Sequence, residues 1–233
     1  MECLRPSPPR YRKEHHRMTD IGILGTGRVG TNLAGRLSAA GHHVTLGHRS
    51  PHDTATRTTG LASAPRIAFA DHRTTARTTD IVINATPGDS SLDRLAGLRA
   101  ELAGKILVDV SNATRDAADG LPGDLYYPGS SLAEKLQAAL PDTRVVKTLN
   151  TMLFTVMTAP ETLATPPTAY LSGDDENAKK AVTGLLGDLG WQPEQVEDLG
   201  DIGTARATEA MILVVPHILR RHGFKPFAVS LAR

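Results

Sequence analysis

Residues 21–50 read IGILGTGRVGTNLAGRLSAAGHHVTLGHRS, and this stretch decides the fold of the chain. A short apolar strand, Ile21 to Leu24, runs directly into a G-x-G-x-x-G turn at residues 25–30, and a helical pattern follows. In that setting the three glycines permit a tight turn, a close approach of the backbone to a pyrophosphate, and close packing of helix on strand. The helix N-terminus adds unpaired N–H groups and partial positive charge. The stretch therefore predicts a dinucleotide-binding unit.

The residues after the second strand indicate which dinucleotide binds. This strand, His43 to Gly47, is followed by His48, Arg49 and Ser50, where an NAD enzyme usually carries an Asp or Glu for the ribose 2′-hydroxyl. A guanidinium with small polar donors suits a 2′-phosphate instead, since charge-assisted hydrogen bonds contribute about 1.5–3 kcal/mol. We therefore predict NADP(H) as the cofactor. The alternative is that Arg49 is an ordinary solvated loop arginine.

Short β-rich runs alternate with longer amphipathic stretches from Ile21 onward, and runs such as IVINA and KILVDV are apolar throughout. Continuous apolar strands are typical of a parallel sheet that is buried on both faces. The predicted strands are 21–24, 43–47, 66–70, 80–85, 105–109, 144–149 and 168–172. The predicted helices are 28–40, 52–61, 90–102, 131–139, 176–189 and 203–215. This pattern predicts an α/β fold, a Rossmann-type doubly wound and mainly parallel sheet with a small C-terminal helical part.

Three regions follow from this reading. Residues 1–18 mix prolines with basic groups, and we expect a disordered tail. Residues 19–198 form the predicted NADP-binding Rossmann domain. Residues 199–233 form a predicted helical segment, whose apolar part Met211 to Val215 packs on the domain or on a second subunit. We expect a homodimer.

Three loops follow the fourth, fifth and sixth predicted strands, at the carboxyl edge of the sheet where ligands bind. For Pro87-Gly88 and for Asn112, a plain turn and a helix cap are the alternatives to cofactor contact. The third loop, after residue 149, is predicted to face a second ligand. The predicted cofactor-binding residues are Gly25, Thr26, Gly27, Arg28, Val29, Gly30, His48, Arg49, Ser50, Ala85, Thr86, Pro87 and Asn112. The predicted second-ligand residues are Asn150, Thr151 and Met152.

Composition limits the partners of this 233-residue chain. The formal net charge of +1 gives no field that attracts nucleic acid. Cys3 is the only cysteine, so no disulfide framework forms and a reducing, cytoplasmic location fits. Pro216 follows the Met211 to Val215 run, and no apolar run approaches the roughly 20 residues that span a bilayer. We therefore expect a small-molecule redox substrate, with no nucleic acid and no membrane as partner.

Six segments together resemble the NADPH-dependent deazaflavin reductases, the NADP oxidoreductases of coenzyme F(420), over residues 21 to about 215. They are GTGRVG at 25–30, GHRS at 47–50, DVSNAT at 109–114, VVKTLNTM at 145–152, SGDDENAKKAV at 172–182 and DLGDIGTARATEA at 198–210. A related arrangement is similar to the cytosolic reductase domain of six-transmembrane ferric reductases, which passes hydride from NADPH to a flavin. The archaeal deazaflavin enzymes typically carry histidine at the position of Asn150, and the flavin-using relatives carry asparagine.

The resemblance implies hydride transfer between the nicotinamide and a stacked deazaflavin F(420), or a flavin, by alignment of two rings. No obligate side-chain acid or base is implied. Two alternatives are an NADPH-dependent reductase of a small imine, enone or carbonyl metabolite, and a non-catalytic NADP-binding sensor. A metabolite reductase needs a proton donor, for which Asn112, Asn150, Thr151 and Glu209 are the candidates. Glu209 has a second interpretation, as a charge on the helix surface or at a dimer contact.

A metal site is not predicted. His42, His43 and His48 lie close together in the sequence, but no cysteine or carboxylate completes a ligand set near them.

Overall fold

An eight-stranded sheet lies at the centre of the protein, and the computed structural model describes residues 18–49, 61 and 66–232. The strands of this part are β1 (Asp20–Leu24), β2 (His43–His48), β3 (Ile67–Asp71), β4 (Ile81–Asn84), β5 (Ile106–Asp109), β6 (Thr114–Asp116), β7 (Pro122–Leu125), β8 (Arg144–Thr148), β9 (Ala169–Ser172) and β10 (Val196–Asp198). The α-helices are α1 (Arg28–Ala40), α2 (His72–Thr78), α3 (Ser91–Ala96), α4 (Arg99–Leu102), α5 (Leu132–Ala139), α6 (Phe154–Met157), α7 (Glu176–Asp188), α8 (Ala205–Ala210) and α9 (Val215–His222).

The strand order of the sheet is β10-β9-β8-β5-β4-β1-β2-β3, and β6 and β7 form a separate antiparallel hairpin. The six strands from β8 to β3 run parallel, whereas β9 is antiparallel to β8 and β10 parallel to β9. The order of strands reverses between β1 and β4. Doubly wound sheets bind ligands outside the carboxyl ends of the strands at such a reversal. The predicted fold, a Rossmann-type sheet with a C-terminal helical part, is confirmed.

The sheet is covered on both faces, because alternate residues of each strand point to opposite sides. Ile21 and Ile83 pack in one apolar layer with Leu33 of α1 and Val182 of α7. The second layer, on the other side, contains Val82 and Leu107 of the sheet together with Leu95 of α3 and Leu136 of α5. Two-sided burial is the physical reason that the central strands are apolar throughout.

The seven predicted strands are confirmed, each end lying within one residue of the predicted position. Helix α1 has the predicted bounds, while the predicted helix at 52–61 falls almost wholly outside the described residues. The predicted helix at 90–102 is interrupted at Gly97 and Leu98, where α3 ends and α4 has not begun. Helix α2 was not predicted because HRTTART has no apolar period. Its N-cap is nonetheless a sequence signal, since the Asp71 side chain accepts from the backbone N–H of Thr74.

The C-terminal segment differs from the prediction of one helix at 203–215. A 3-10 turn (Ile202–Thr204), α8, a second 3-10 turn (Met211–Val214) and α9 follow one another without a break. The resulting stretch, Ile202–His222, is long and apolar enough to cross a membrane by length and composition. This corrects the expectation that no run approaches that length, because Pro216 lies in the first turn of α9, where proline is tolerated, and does not end the helix. One such helix is weak grounds for a membrane span, and its inner side lines the cleft described next.

Candidate active site

A cleft of about 600 Å³ lies along the carboxyl ends of the parallel strands. It crosses the point between β1 and β4 at which the strand order reverses. Its lining comes from loops that follow six strands and from the C-terminal segment. From the predicted site, the lining includes Gly25, Thr26, Gly27, Arg28, Val29, His48, Arg49, Ala85, Thr86, Pro87, Asn112, Asn150 and Met152. Ser50 lies outside the described residues.

The turn between β1 and α1 forms the floor of the cleft. Gly25 has a φ of +117°, and a Cβ there would lie 2.5 Å from the carbonyl oxygen of Ala85. A Cβ at Gly30 would overlap the carbonyl oxygen of Gly25, so Gly30 packs the helix on the strand and does not line the cleft. Gly27, the N-cap of α1, has open space at the same position. The turn thus leaves a free cradle at a helix N-terminus, which fits a pyrophosphate.

One end of the cleft is basic. Arg49 follows β2, His72 follows β3, and Arg94 reaches the cleft from α3. Burial, followed by the charges of Arg94, Arg49 and His48, lowers the pKa of His72 to about 4. Burial and the charge of Arg49 also lower the pKa of Arg94. The sequence does not indicate His72 or Arg94 as site residues, because Arg94 lies inside a predicted helix and His72 follows a strand to which no ligand contact is assigned.

The loop after β4 is held by a buried amide. The Asn84 side chain donates to Asp109 Oδ1 at 2.8 Å and accepts from the Thr86 hydroxyl at 2.7 Å. A Cβ at Gly88 would overlap the carbonyl oxygen of Asn112. Gly88 is therefore more than a turn residue, since it lets this loop lie directly on the loop after β5.

Two asparagine side chains join the loops after β5 and β8. Asn112 Nδ2 donates to the carbonyl oxygen of Asn150 at 2.8 Å, and Asn150 Nδ2 donates to Asn112 Oδ1 at 2.9 Å. The residue before Asn150, Leu149, has a φ of 60°, a left-handed conformation that a leucine rarely adopts. The reciprocal pair fixes the polar wall of the cleft, and neither amide is an acid or a base at neutral pH.

A buried ion cluster lies behind this wall. Lys147 Nζ donates to Asp109 Oδ2 at 2.7 Å, to Glu209 Oε1 at 2.8 Å and to the carbonyl oxygen of Ser111. Burial alone would lower the pKa of Lys147, but the two carboxylates raise it above its ordinary value. The Glu209 carboxylate also accepts from the backbone N–H groups of Leu132 and Ala133, at the start of α5.

These contacts correct both interpretations of Glu209. It is only 3% exposed, so it is not a charge on the helix surface, and it does not line the cleft, so it cannot reach a substrate there. Thr151 is likewise buried and outside the lining. The sequence could not predict the burial of Glu209, because its hydrogen-bond partners lie 62 or more positions away in the chain.

The other end of the cleft is apolar. Leu153, Phe154 and Met157 line it after β8, and Ile212, Val215, Leu219 and Phe227 line it from the C-terminal segment. The tail returns to the loop after β8, where Leu153 N donates to Phe227 O at 3.0 Å and Val229 N donates to Thr151 O at 2.9 Å. Among the described residues that line this end, none has a side chain that titrates near neutral pH. The arrangement can hold a flat apolar ring system, and it offers no general acid.

In the part of the chain that the structure describes, no three His, Cys, Asp or Glu side chains converge. His42 lies 3.0 Å from Asp188, and the exposed His43 lies 3.2 Å from Asp20.

Comparison with known proteins places this geometry among NADP-dependent reductases. A profile described as NADP oxidoreductase, coenzyme F(420)-dependent, matches residues 20–113. A crystal structure of a proposed F(420)-dependent NADP-reductase from Arthrobacter sp. FB24 is 38% identical, with a TM-score of 0.85, and the match covers 92% of this chain and 100% of that one. The F(420)-dependent NADP reductase of Methanocaldococcus jannaschii is 29% identical over 202 residues, which are 82% of this chain and 88% of that protein.

A second group of relatives consists of longer proteins. Metalloreductase STEAP3 of Rattus norvegicus is 32% identical over 197 residues, covering 83% of this chain. The match covers 36% of that protein, and the matches to two STEAP2 metalloreductases cover 40%. The chain therefore spans well under half the length of these relatives.

Proposed function

Because the chain belongs to the family of coenzyme F(420)-dependent NADP oxidoreductases, as its identity to the Arthrobacter structure shows, we propose that it transfers hydride between NADP(H) and the deazaflavin F(420). Membership makes it an NADP-dependent oxidoreductase that binds NADP(H). The identity of the hydride acceptor is the proposed part. A homodimer and a cytoplasmic location stay predictions.

The nucleotide occupies the floor and the basic end of the cleft in this proposal. The free N-terminus of α1, next to Gly27, binds the pyrophosphate through backbone N–H groups. Arg49, at the end of β2, faces the 2′-phosphate of the adenosine ribose. The nicotinamide then extends past Ala85 and Thr86 toward the Asn112–Asn150 pair.

The apolar, non-titrating end of the cleft is the observation that carries the proposal. Reduction of an imine or a carbonyl places charge on a heteroatom, and enzymes commonly supply a proton from a side chain. The described lining of this end offers only apolar and amide or hydroxyl side chains, such as Phe227, Asn150 and Ser111. NADPH supplies a hydride from its nicotinamide ring and becomes NADP⁺. A conjugated ring can accept the hydride at a carbon and spread the negative charge over its heteroatoms, which take up a proton from solvent when the reduced ring is released, so no side-chain acid is needed.

The residues of this chain contribute alignment. The Asn112–Asn150 pair gives one rigid wall, and Leu219 and Phe227 of the C-terminal segment give an apolar one. Holding two reacting rings in contact can supply about 7–11 kcal/mol of the barrier through proximity and orientation. The fold therefore needs to position the two rings and exclude water.

A turnover assay tests the acceptor. Purified protein is mixed with NADPH and oxidised F(420), and the visible absorbance of the deazaflavin is followed, with FMN, FAD and a cyclic imine as parallel acceptors. We expect reduction of F(420) at a kcat/KM at least tenfold above that for any other acceptor. Turnover of a flavin or of the imine alone would overturn the proposal. Tight NADPH binding with no turnover of any acceptor would also overturn it and would favour the alternative of a non-catalytic NADP-binding sensor.

A further inference from the structure

Arg94 lies in the cleft with part of its guanidinium unused. Its Nη2 donates to the hydroxyl of Ser90 at 3.2 Å. Its Nη1 is shielded from solvent and has no hydrogen-bond partner among the described residues. A buried N–H group without a hydrogen-bond partner is energetically unfavourable. In a binding cleft, a bound ligand commonly provides the missing acceptor. Because the Arg94 side chain lines the cleft, a rotation of its guanidinium would bring this unpaired group to an acceptor bound there.

Two arginines, Arg49 and Arg94, meet the imidazoles of His48 and His72 at this end of the cleft. Arg49, His48 and Arg94 lie close enough to His72 to oppose its protonation, and Arg49 acts in the same way on Arg94. Two carboxylates act in the opposite direction, Asp89 on Arg94 and Asp71 on His72. The Asp71 oxygens already accept from Thr74 N and Thr74 Oγ1. Crowding of like charges in a partly buried cleft is unfavourable until an anion binds there.

The cluster has a definite place on the sheet. His48 pairs with Asp71 where the parallel strands β2 and β3 end, so Arg49 and His72, the residues that follow the two strands, are neighbours. The His72 ring packs beside the end of β2, and a Cβ at Gly47 would lie 3.2 Å from its Cδ2. His48 Nδ1 is also buried and without a partner among the described residues. In this fold the adenosine ribose lies at the end of the second strand.

We propose that Arg94 and His72 complete the binding site for the 2′-phosphate of NADP(H), and that Arg94 sets the preference for NADP(H) over NAD(H). Arg94 contributes a planar fork of donors that matches a phosphate, and His72 contributes one ring N–H. Arg49 approaches the same group from the loop after β2. This inference rests on the orientation of NADP(H) proposed above but not on the identity of the hydride acceptor.

Direct binding measurements test it without turnover. The dissociation constants of NADPH, NADH, 2′,5′-ADP and 5′-AMP are measured by calorimetry for the wild type, Arg94→Met, Arg94→Lys and His72→Asn. Arg99→Met and His217→Asn are matched controls, since both side chains are exposed and neither lines the cleft. Thermal melting of each variant without ligand establishes that it is folded.

We expect Arg94→Met to weaken NADPH and 2′,5′-ADP about ten- to hundredfold, while NADH and 5′-AMP change less than twofold. Arg94→Lys should recover part of the loss, because it restores the charge but not the fork. His72→Asn should weaken NADPH by about three- to tenfold, and both controls should match the wild type. Equal losses for NADPH and NADH, or no loss for either, would overturn the proposal.

Discussion

Gly27 and Gly30 lie three positions apart in one turn and serve different purposes. The space beside Gly27 is empty in the protein alone, whereas the space beside Gly30 is filled by the carbonyl oxygen of Gly25. The G-x-G-x-x-G motif contains both glycines but does not show that their roles differ. A pair of alanine substitutions separates them.

We predict that Gly30→Ala costs about 2–3 kcal/mol in the free energy of unfolding, because the new methyl group overlaps fixed backbone. Gly27→Ala should cost no more than about 1 kcal/mol, the usual effect of alanine at an N-cap. It should nevertheless weaken NADPH at least tenfold, since its methyl group occupies the pyrophosphate cradle. Urea unfolding and NADPH titration of both variants measure the contrast. Similar stability losses in the two variants would contradict this reading of the turn.

At the scale of elements, the ion cluster around Lys147 joins four parts of the fold. Lys147 is on β8, Asp109 ends β5, and Glu209 belongs to α8 and also satisfies the start of α5. Among the described residues, the Lys147 ammonium is the one cation that faces the Asp109 and Glu209 carboxylates, and this site is closed to solvent. Removing one partner of such a cluster leaves buried charge without compensation.

We therefore predict that Lys147→Met destabilises the protein by about 3–5 kcal/mol, because two buried carboxylates lose their cation. Glu209→Gln should cost clearly less, since the Lys147–Asp109 pair remains and the amide oxygen can still accept. Lys135→Met, on the exposed side of α5, is the control and should stay within about 0.5 kcal/mol of the wild type. Chemical denaturation of the three variants measures the ranking. If Lys147→Met and Lys135→Met were equally stable, the ion cluster around Lys147 would not stabilise the fold.

At the scale of the whole molecule, the C-terminal segment lines one side of the apolar end of the cleft with Ile212, Val215, Leu219 and Phe227. Helix α9 of this segment lies next to the turn of the β6–β7 hairpin, where Arg220 forms an ion pair with Asp119. The tail after α9 then pairs with the loop after β8 through an isolated β-bridge between Met152 and Ala228. The ring that accepts the hydride would therefore lie between the sheet and this segment. A change in the segment should affect the acceptor and spare the nucleotide.

We predict that Leu219→Gln raises the KM for F(420) about five- to tenfold, because an amide placed against an apolar ring loses hydration without gaining a partner. The dissociation constant of NADPH should stay within twofold of the wild type. Leu231→Gln, at an exposed leucine of the tail outside the cleft, is the matched control. Steady-state kinetics with each substrate varied in turn give both values. An equal effect on both substrates would contradict the division of the cleft.

The sequence by itself predicted seven of the eight strands of the sheet, the helix α1 and the glycine turn that precedes it. These features depend on local signals: apolar runs that need burial on both faces, and glycines that only a strand–turn–helix makes necessary. Both kinds of signal lie within a few residues of the structure that they specify. For that reason the predicted strand ends differ from the observed ones by no more than one residue.

Only the tertiary structure decided which polar groups meet. Glu209 looks like a surface charge in its own helix, and the fold buries it against Lys147, 62 positions away. Arg94 and His72 join Arg49 through strand pairing and helix packing, which no spacing in the sequence records. The physical reason is that charge pairing and burial depend on distances in space, and those follow from the order of strands in the sheet.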